Sequence, residues 1–357
     1  MLIQIREYRE EINRLIEAGL PYENLYKSNV LIAGASGMIG SALVDTLMVL
    51  SENKSLKLNV YALGRNRERL EQRFLSYIDN PYFHIIEQDI SEPIVSDIKM
   101  DYIVHAASDA NPIAYASHPV EVMRANFYGM NNLLEYGRSV SGKRVLYISS
   151  GEMYGKLVGT EDGFMEDYVG YVDYSDARSC YPSAKRATEA LCQSYIQEYG
   201  MDIVIVRPCH IYGPTMTEND TRAVSAFIRN VLHHENIVLR SDGSARRSMC
   251  YIMDAVAGLL YVLLLGKNGQ AYNISNDKGV ASILELAELI ANVGKSEIIF
   301  DIPSDLEKKG FNRVQKAVLV SEKLKGLGWS NHTDLADGLA KTMSILEKKE
   351  ILYGKGI

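Results

Sequence analysis

Short runs of apolar residues alternate along the chain with longer segments in which apolar residues recur every three or four positions. The short runs cover residues 30–34, 58–63, 83–87, 102–106, 145–149 and 203–207, and their length and composition are typical of buried strands. Residues 41–50, 120–137 and 178–199 lie between these runs and have the spacing of helices. This alternation predicts an α/β fold, a doubly wound parallel sheet covered by helices.

The pattern becomes less regular after residue 207. Helical spacing returns at residues 223–233, 253–265, 283–293 and 334–347, with short apolar runs at 237–240 and 271–275. We therefore predict a main domain of residues 29–207 and a smaller C-terminal lobe, mainly residues 208–357, over the open edge of the sheet. Some segments of this lobe are expected to return to the main domain.

Residues 1–28 are predicted to form an N-terminal helical extension. Ile5, Tyr8 and Ile12 recur at helical spacing, and Pro21 ends the pattern. We expect this helix to pack on the outside of the main domain. The alternative is an arm that binds a partner.

The amino-acid composition of the chain argues against several classes of function. The 357 residues are 47% hydrophobic and 23% charged, with a net charge of -7, which argues against a broad nucleic-acid-binding surface. The longest apolar run, residues 256–265, is too short to span a bilayer. The four cysteines form no Cys-x-x-Cys pair, and the N-terminus has no secretory apolar segment, so we expect free thiols and a cytoplasmic location. No group of residues has metal-ligand spacing, and no metal is predicted.

A glycine turn follows the first predicted strand and precedes the first predicted helix of the main domain. In this strand–turn–helix context, backbone N–H groups and a helix N-terminus face a pyrophosphate, so we predict a dinucleotide site. The spacing is Gly-x-x-Gly-x-x-Gly, a variant of the usual fingerprint. The residues predicted to contact the cofactor here are Gly34, Ser36, Gly37, Met38, Ile39 and Gly40.

The identity of the dinucleotide depends on the ends of the next two strands. The second strand ends without the carboxylate that usually holds a ribose 2′-hydroxyl, and Arg65 stands at its tip. An arginine there can pair with a 2′-phosphate, which slightly favours NADP over NAD; the alternative is a surface arginine. After the third strand, Asp89 and Ile90 are candidates for contacts to adenine, although Asp89 could equally cap a turn.

A pair of residues with base chemistry begins the helix of residues 178–199. Tyr181 and Lys185 are four positions apart and therefore share one helix face. A nearby ammonium favours the phenolate form, which is the base that removal of an alcohol proton requires. The alternative is a solvated surface pair. Residues 149–155, which follow the fifth strand, lie at the same carboxyl edge of the sheet, where ligands bind in this architecture.

With the glycine turn, the 149–155 turn and Tyr181/Lys185 together, the chain resembles the extended short-chain dehydrogenase/reductase family, the NAD-dependent epimerases and dehydratases of nucleotide sugars. Within it, the chain is most similar to the UDP-glucuronate decarboxylases, the UDP-xylose synthases. The similar stretches are residues 105–119 with Asn126, 149–155, 166–181, 213–228 and 243–251. The resemblance covers most of residues 28–345 and implies a Rossmann-type sheet with a C-terminal substrate-binding lobe.

The resemblance implies a redox cycle without net oxidation. Tyr181 takes the proton of the sugar 4-hydroxyl while hydride passes to the nicotinamide, and Ser150 hydrogen-bonds the same hydroxyl. Lys185 lowers the pKa of Tyr181 and holds the nicotinamide ribose. The resulting 4-ketone can lead to loss of carbon dioxide, to 4,6-dehydration or to 4-epimerisation. A net NADPH-consuming reductase and a non-catalytic NADP-sensing regulator are the alternatives from other classes, and Ser150, Tyr181 and Lys185 argue against the regulator.

The 149–155 turn favours decarboxylation among these outcomes. Decarboxylases and dehydratases of the family carry a glutamate at the position of Glu152, where it handles the proton at C5; the alternative is a surface glutamate. The dTDP-glucose dehydratases carry an acidic residue at the position of Gly151, which is absent here. Because GDP-mannose dehydratases also lack that acid, dehydration stays open.

The resemblance also implies substrate and cofactor contacts on other segments. Arg178, Arg222 and Arg247 match positions around the substrate pocket, and a planar guanidinium suits a carboxylate or a phosphate. His210 and Thr215 depart from the Asn and Arg that are usual in the family, which leaves the nucleotide and sugar open. The family commonly forms a homodimer through the helices after Pro119 and Tyr181. Further cofactor contacts are implied for Ala106, Ala107, Ser108, Asn126 and Pro208.

Overall fold

The computed structural model describes residues 1–17, 19–108, 110–157, 163–302 and 315–353. The strands are β1 (Asn29–Ala33), β2 (Asn59–Gly64), β3 (Phe83–Glu87), β4 (Tyr102–His105), β5 (Arg144–Ile148), β6 (Ile203–Pro208), β7 (His210–Tyr212), β8 (Ile237–Leu239), β9 (Arg246–Tyr251), β10 (Ala271–Ile274), β11 (Val280–Ser282), β12 (Ile298–Phe300) and β13 (Lys316–Ala317). The helices are α1 (Arg6–Ile16), α2 (Met38–Lys54), α3 (Arg67–Arg73), α4 (Pro112–Ser117), α5 (Pro119–Ser139), α6 (Cys180–Tyr199), α7 (Ala223–Leu232), α8 (Ile252–Leu265), α9 (Ile283–Gly294), α10 (Glu322–Lys325) and α11 (Leu335–Tyr353).

The core of the molecule is a seven-stranded parallel sheet in the order β10-β6-β5-β4-β1-β2-β3. Its central strands are apolar and buried on both faces, as expected when helices cover a parallel sheet. The prediction of a doubly wound, Rossmann-type α/β fold is confirmed. The strand predicted at residues 271–275 joins this main sheet as β10.

The strand register determines where the site forms. Ala33 of β1 pairs with His105 of β4, His105 pairs with Tyr147 of β5, and Ile148 pairs with Val206 of β6. The residues that follow these four strands therefore meet along one carboxyl edge. The glycine turn and the 149–155 turn are both at this edge.

A second, smaller sheet was not predicted. Its order is β11-β9-β13, and β7 pairs with β9 in parallel, so that His210 lies opposite Met249. Its strands have two to six residues, too few to show a two-residue alternation reliably. Because β7 follows β6 after a single residue, this sheet is continuous with the carboxyl edge of the main sheet.

The N-terminal helix α1 packs on α2 and α8. Tyr8 and Ile12 are completely buried, and the Tyr8 hydroxyl donates a 2.9 Å hydrogen bond to the buried carboxylate of Asp45 on α2. Arg73 donates to the same carboxylate at 2.5 Å. The three-part division of the chain stays a prediction.

Two further observations concern the cysteines and the possibility of a membrane-spanning helix. Cys180, Cys192, Cys209 and Cys250 are all unpaired. Among the helices of the described segments, none combines the length and the apolar character needed to cross a membrane.

Candidate active site

In the glycine turn, the backbone lies so close to neighbouring backbone that no side chain would fit at Gly34 or Gly40. Gly34 has φ +80°, and a Cβ added to it would lie 2.6 Å from the backbone nitrogen of Ala107, which follows β4. A Cβ on Gly40 would lie 2.3 Å from the Gly34 carbonyl oxygen. Helix α2 begins at Met38, earlier than the predicted residue 41, so Gly40 lies inside its first turn. No side chain caps the start of α2, which leaves its first N–H groups for a ligand.

Ser108 and Asn126 each carry, near this edge, a buried polar side-chain atom without a partner among the described residues. Ser108 Oγ and Asn126 Oδ1 are both unpaired, although Asn126 is fixed by a 2.7 Å hydrogen bond from its Nδ2 to the Val122 carbonyl. Buried polar atoms are rarely left unpaired in folded proteins unless a ligand or water satisfies them. Both residues are among the predicted cofactor contacts, and their unpaired atoms fit that prediction. Ala106 and Pro208 lie at the ends of β4 and β6.

The residues that would distinguish NADP from NAD have fewer structural features that point to a cofactor than the glycine turn has. Arg65 is exposed just after β2, and the following Asn66 caps α3 by accepting a 2.7 Å hydrogen bond from the Arg69 N–H. Asp89 accepts a 2.8 Å hydrogen bond from the Ser91 N–H, which is the turn-capping role considered for it. Ile90 is buried beside it. Contacts of Arg65, Asp89 and Ile90 to a cofactor stay predictions.

Tyr181 and Lys185 lie in the first turns of α6 and are buried rather than solvated. Their side chains are 4% and 1% exposed. Lys185 Nζ donates a 2.7 Å hydrogen bond to the carbonyl of Ile148 at the end of β5 and lies 5.5 Å from the centre of the Tyr181 ring. Burial lowers the pKa of Lys185 to about 7, and the carboxylate of Glu189 acts in the opposite direction.

The pKa of Tyr181 is set by burial and by several neighbouring groups. Burial raises the pKa of Tyr181 above its usual value, and the carboxylate of Glu152 raises it further. A hydrogen bond with Ser150, the charge of Arg222 and a hydrogen bond with Tyr115 lower it. The net pKa of Tyr181 is therefore raised, because removal from water outweighs the favourable contacts, and the lowering of this pKa by Lys185 stays a prediction.

Glu152 lies in a short 3-10 turn, Gly151–Tyr154, directly after Ser150. Burial raises the pKa of the Glu152 carboxyl, and Arg178, Arg247 and Arg222 act against this shift, in that order. Glu152 is partly buried, and three guanidinium groups are close enough to act on its pKa, so it is not an isolated surface side chain. The predicted catalytic carboxyl and all three predicted substrate arginines therefore act on one another electrostatically.

The arginines are held by different segments. Arg222 is fixed by Asp220, with Nε–Oδ1 at 2.9 Å and Nη2–Oδ2 at 2.5 Å. Arg247 lies on β9, is 6% exposed, and donates to the backbone carbonyl of Arg246 at 2.8 Å. Burial lowers the pKa of Arg247, and Glu152 opposes the shift. Arg178 lies in the 3-10 turn before α6.

His210 belongs to the same cluster. Its Nδ1 is buried without a partner in the part of the chain that the structure describes, and burial together with Arg247 and Arg222 lowers its pKa to about 3. The imidazole is therefore neutral at physiological pH. Thr215 Oγ1 is likewise buried and unpaired. The two residues that depart from the family pattern thus both carry unpaired polar atoms, and that of His210 lies close to Arg247 and Arg222, which fits contact with a ligand.

Residues 30–275 match the model of the NAD dependent epimerase/dehydratase family. The chain belongs to this family. NAD is the cofactor in the family's name, and the slight preference for NADP stays a prediction.

Curated relatives and solved structures align with most of the length of the chain. UDP-glucuronic acid decarboxylase 6 from Arabidopsis thaliana is 33% identical over 317 residues, which are 88% of this chain and 88% of that protein. The solved UDP-glucose 4-epimerase from Thermotoga maritima, in complex with UDP-glucose, is 25% identical with a TM-score of 0.76 and covers 90% of this chain and 99% of its own. An epimerase from Methanothermobacter thermautotrophicus has a TM-score of 0.81 over 97% of this chain and 98% of its own, and at 18% identity it shows the fold alone.

This member of the NAD dependent epimerase/dehydratase family contains site residues that sequence reasoning missed. Tyr115 on α4 stacks on Tyr181, with ring centres 4.7 Å apart and an interplanar angle of 16°. Glu189, one turn after Lys185 on α6, forms a buried ion pair with Arg207, with Oε2–Nη2 at 2.6 Å. The four-residue spacing from Lys185 was the one signal for Glu189. Tyr115 had none, because α4 is a helix of only six residues.

Proposed function

We propose that this enzyme decarboxylates a nucleotide-linked uronic acid, with UDP-glucuronate as the substrate and UDP-xylose and carbon dioxide as the products. The observation that carries the proposal is the carboxyl of Glu152, faced by Arg178, Arg222 and Arg247 beside Tyr181. Guanidinium groups that are partly withdrawn from water suit a substrate with a diphosphate and a carboxylate. The 33% identity with an Arabidopsis thaliana UDP-glucuronic acid decarboxylase supports this choice.

The glycine turn supports a tightly held nicotinamide dinucleotide. The backbone of Gly34 and Gly40 leaves room for close approach, and the uncapped start of α2 offers N–H groups to a pyrophosphate. When bound, the cofactor accepts a hydride from the sugar and later returns it. Ser108 and Asn126 would satisfy their unpaired polar atoms on it.

Replacing Gly34 with Ala is expected to weaken NAD binding roughly ten- to hundredfold, because the new methyl group would overlap the backbone of Ala107. Gly200→Ala is the matched control: Gly200 also has positive φ, +66°, but its added Cβ would have nothing within 4 Å. Calorimetric titration of both variants with NAD measures the difference. Equal affinity in the two variants would show that the glycine turn does not hold the dinucleotide.

In the first step, Tyr181 takes the proton of the sugar C4 hydroxyl while Ser150 positions that hydroxyl. The C4–H bond breaks with its electron pair leaving as hydride, and the O–H electrons form the ketone. Lys185 is anchored on the Ile148 carbonyl and lies beside the Tyr181 ring, so it is placed to stabilise the phenolate.

In the second step, the C4 ketone lies β to the C6 carboxylate, so the C5–C6 bond can break and carbon dioxide can leave. The electron pair of that bond moves onto the C4 oxygen. Glu152 then donates a proton to C5, and its raised pKa supports a proton-donor role. Return of hydride to C4 and of the proton from Tyr181 completes the cycle. The balance is one proton consumed, one carbon dioxide released and no net oxidation.

The environment of Gly151 supports decarboxylation over dehydration of the dTDP-glucose type. That dehydration uses an acidic side chain at this position. A Cβ on Gly151 would lie 2.9 Å from both Cδ atoms of Leu319, so a larger residue would require Leu319 to move.

Incubation of the purified protein with NAD and UDP-glucuronate is expected to release carbon dioxide and to form UDP-xylose. Mass spectrometry of parallel reactions with UDP-, GDP-, CDP- and dTDP-sugars separates loss of carbon dioxide, loss of water and unchanged mass. Unchanged mass with an altered sugar stereocentre would establish 4-epimerisation instead. Absence of turnover of UDP-glucuronate over a range of pH and cofactor conditions would overturn the proposal.

The proposal includes a cytoplasmic homodimer. Helix α5, one of the helices expected to form the interface, exposes Val120, Met123 and Tyr128 at 62%, 44% and 52%. Large apolar side chains that are exposed together on one helix support an interface there. Sedimentation equilibrium gives the mass of the assembly.

A further inference from the structure

The ring of Tyr115 covers one face of the Tyr181 ring. The two rings are nearly parallel, with centres 4.7 Å apart, and Tyr115 is 1% exposed. Ala114, Tyr115, Val122, Cys180 and Tyr181 form a separate buried apolar cluster. Since buried aromatic rings in such contact hold each other's orientation, the position of the Tyr181 hydroxyl depends on Tyr115.

Helix α4, which carries Tyr115, is fixed to the loop that carries Arg222. Asn111 caps α4 by accepting a 3.0 Å hydrogen bond from the Ile113 N–H. The same Asn111 oxygen accepts a 2.6 Å hydrogen bond from Thr221 Oγ1, and Asn111 Nδ2 donates to the Asn219 carbonyl at 3.1 Å. These contacts place Tyr115 and the Arg222 guanidinium on one connected unit beside Tyr181.

The hydroxyl of Tyr115 keeps its proton. Burial raises the pKa of Tyr115 well above its usual value, and the neighbouring Tyr181 and Glu152 raise it further, against the effects of Arg222 and Arg178. A phenol that stays protonated can donate a hydrogen bond, and the contact between the two hydroxyl groups lowers the pKa of Tyr181.

We propose that Tyr115 is a positioning residue for the base: its ring orients the Tyr181 ring, and its hydroxyl donates a hydrogen bond to the Tyr181 oxygen when that oxygen is deprotonated. This inference rests on the proposed role of Tyr181. It adds a hydrogen-bond donor to the charge of Lys185, which is anchored on the Ile148 carbonyl. Among the residues that the structure describes, the other titratable, charged or hydroxyl-bearing groups near Tyr181 are Ser150, Glu152, Cys180, Lys185 and Arg222, and the Lys185 ammonium also lies over the Tyr147 ring.

The test compares Tyr115→Phe, which keeps the ring and removes the hydroxyl, with Tyr115→Leu, which removes both. The substrate is whichever nucleotide sugar the mass-spectrometric survey finds to turn over. In Tyr115→Phe, the acidic limb of the kcat/KM profile is expected to move to higher pH by about one unit, because the phenolate loses one donor. Activity at high pH should return towards that of the wild type. In Tyr115→Leu, the high-pH activity should fall as well.

Tyr61→Phe is the matched control, because the buried Tyr61 stacks on His84 with ring centres 4.5 Å apart and is not among the groups that face Tyr181. Its profile should equal that of the wild type. A Tyr115→Phe profile that is scaled down without a shift of the acidic limb would overturn the proposal, since a purely structural role predicts that result.

A second measurement needs no substrate, so its failure is distinguishable from failure of the proposed function. In protein labelled with ¹³C at tyrosine Cζ, the Tyr181 resonance is assigned by its loss in Tyr181→Phe. It should titrate at higher pH in Tyr115→Phe than in the wild type. Equal titration in both proteins, including no titration in either, would overturn the proposal. Product identity is measured separately and tests only the decarboxylase assignment.

Discussion

Replacement of Tyr181 by Phe is expected to lower kcat by a factor of about 10²–10⁴, the usual contribution of a positioned acid–base group. Phe keeps the ring that stacks on Tyr115 and removes the hydroxyl that would take the C4 proton. Because formation of the ketone precedes every later step, all products should be lost together. Steady-state kinetics with UDP-glucuronate, or with the best substrate of the survey, measures the effect.

NAD affinity and thermal unfolding of Tyr181→Phe should stay close to those of the wild type, since the backbone of α6 and the glycine turn are unchanged. Tyr199→Phe, at the opposite end of the same helix and 46% exposed, is the control and should keep full activity. Retention of more than about a tenth of the wild-type kcat by Tyr181→Phe would contradict its assignment as the base.

The main sheet was predictable because each of its strands is a local apolar run between helices. Strand β3 has the predicted bounds, and the other predicted strands differ by a single residue at one or both ends. In a parallel sheet buried on both faces, burial leaves a continuous apolar signal in the sequence. The second sheet leaves no such signal, because it depends on a long-range pairing such as that of His210 with Met249.

The candidate site was predictable only in part, for a related reason. The residues that carry chemistry could be named from motifs, but their electrostatics depend on burial and on partners distant in sequence. Burial and the carboxylate of Glu152 raise the pKa of Tyr181, which is 4% exposed, and the spacing of Tyr181 and Lys185 reveals neither effect. Tyr115 stacks on it from a segment 66 residues earlier, a contact that only the fold establishes.

Glu189→Gln is expected to destabilise the protein by about 3–5 kcal/mol, because it leaves the charge of Arg207 buried without its partner. The pair is bidentate, with Nε–Oε1 at 3.0 Å and Nη2–Oε2 at 2.6 Å, and both residues are 8% exposed. Arg207 also donates to the Tyr154 hydroxyl at 2.8 Å, in the turn that carries Glu152. Denaturant titration measures the loss of unfolding free energy.

The same carboxylate also acts on Lys185. Glu189 raises the pKa of Lys185 against burial, so its removal should lower that pKa below about 7 and move the loss of the ammonium to lower pH. The double variant Glu189→Met with Arg207→Met separates the two effects. It should recover most of the lost stability, since an apolar pair can replace a buried ion pair at little cost. The carboxylate near Lys185 is still missing from the double variant. As the pH rises, the activity of this variant should therefore begin to decline at a lower pH than that of the wild type. Recovery of the wild-type pH profile together with stability would show that Glu189 serves folding alone.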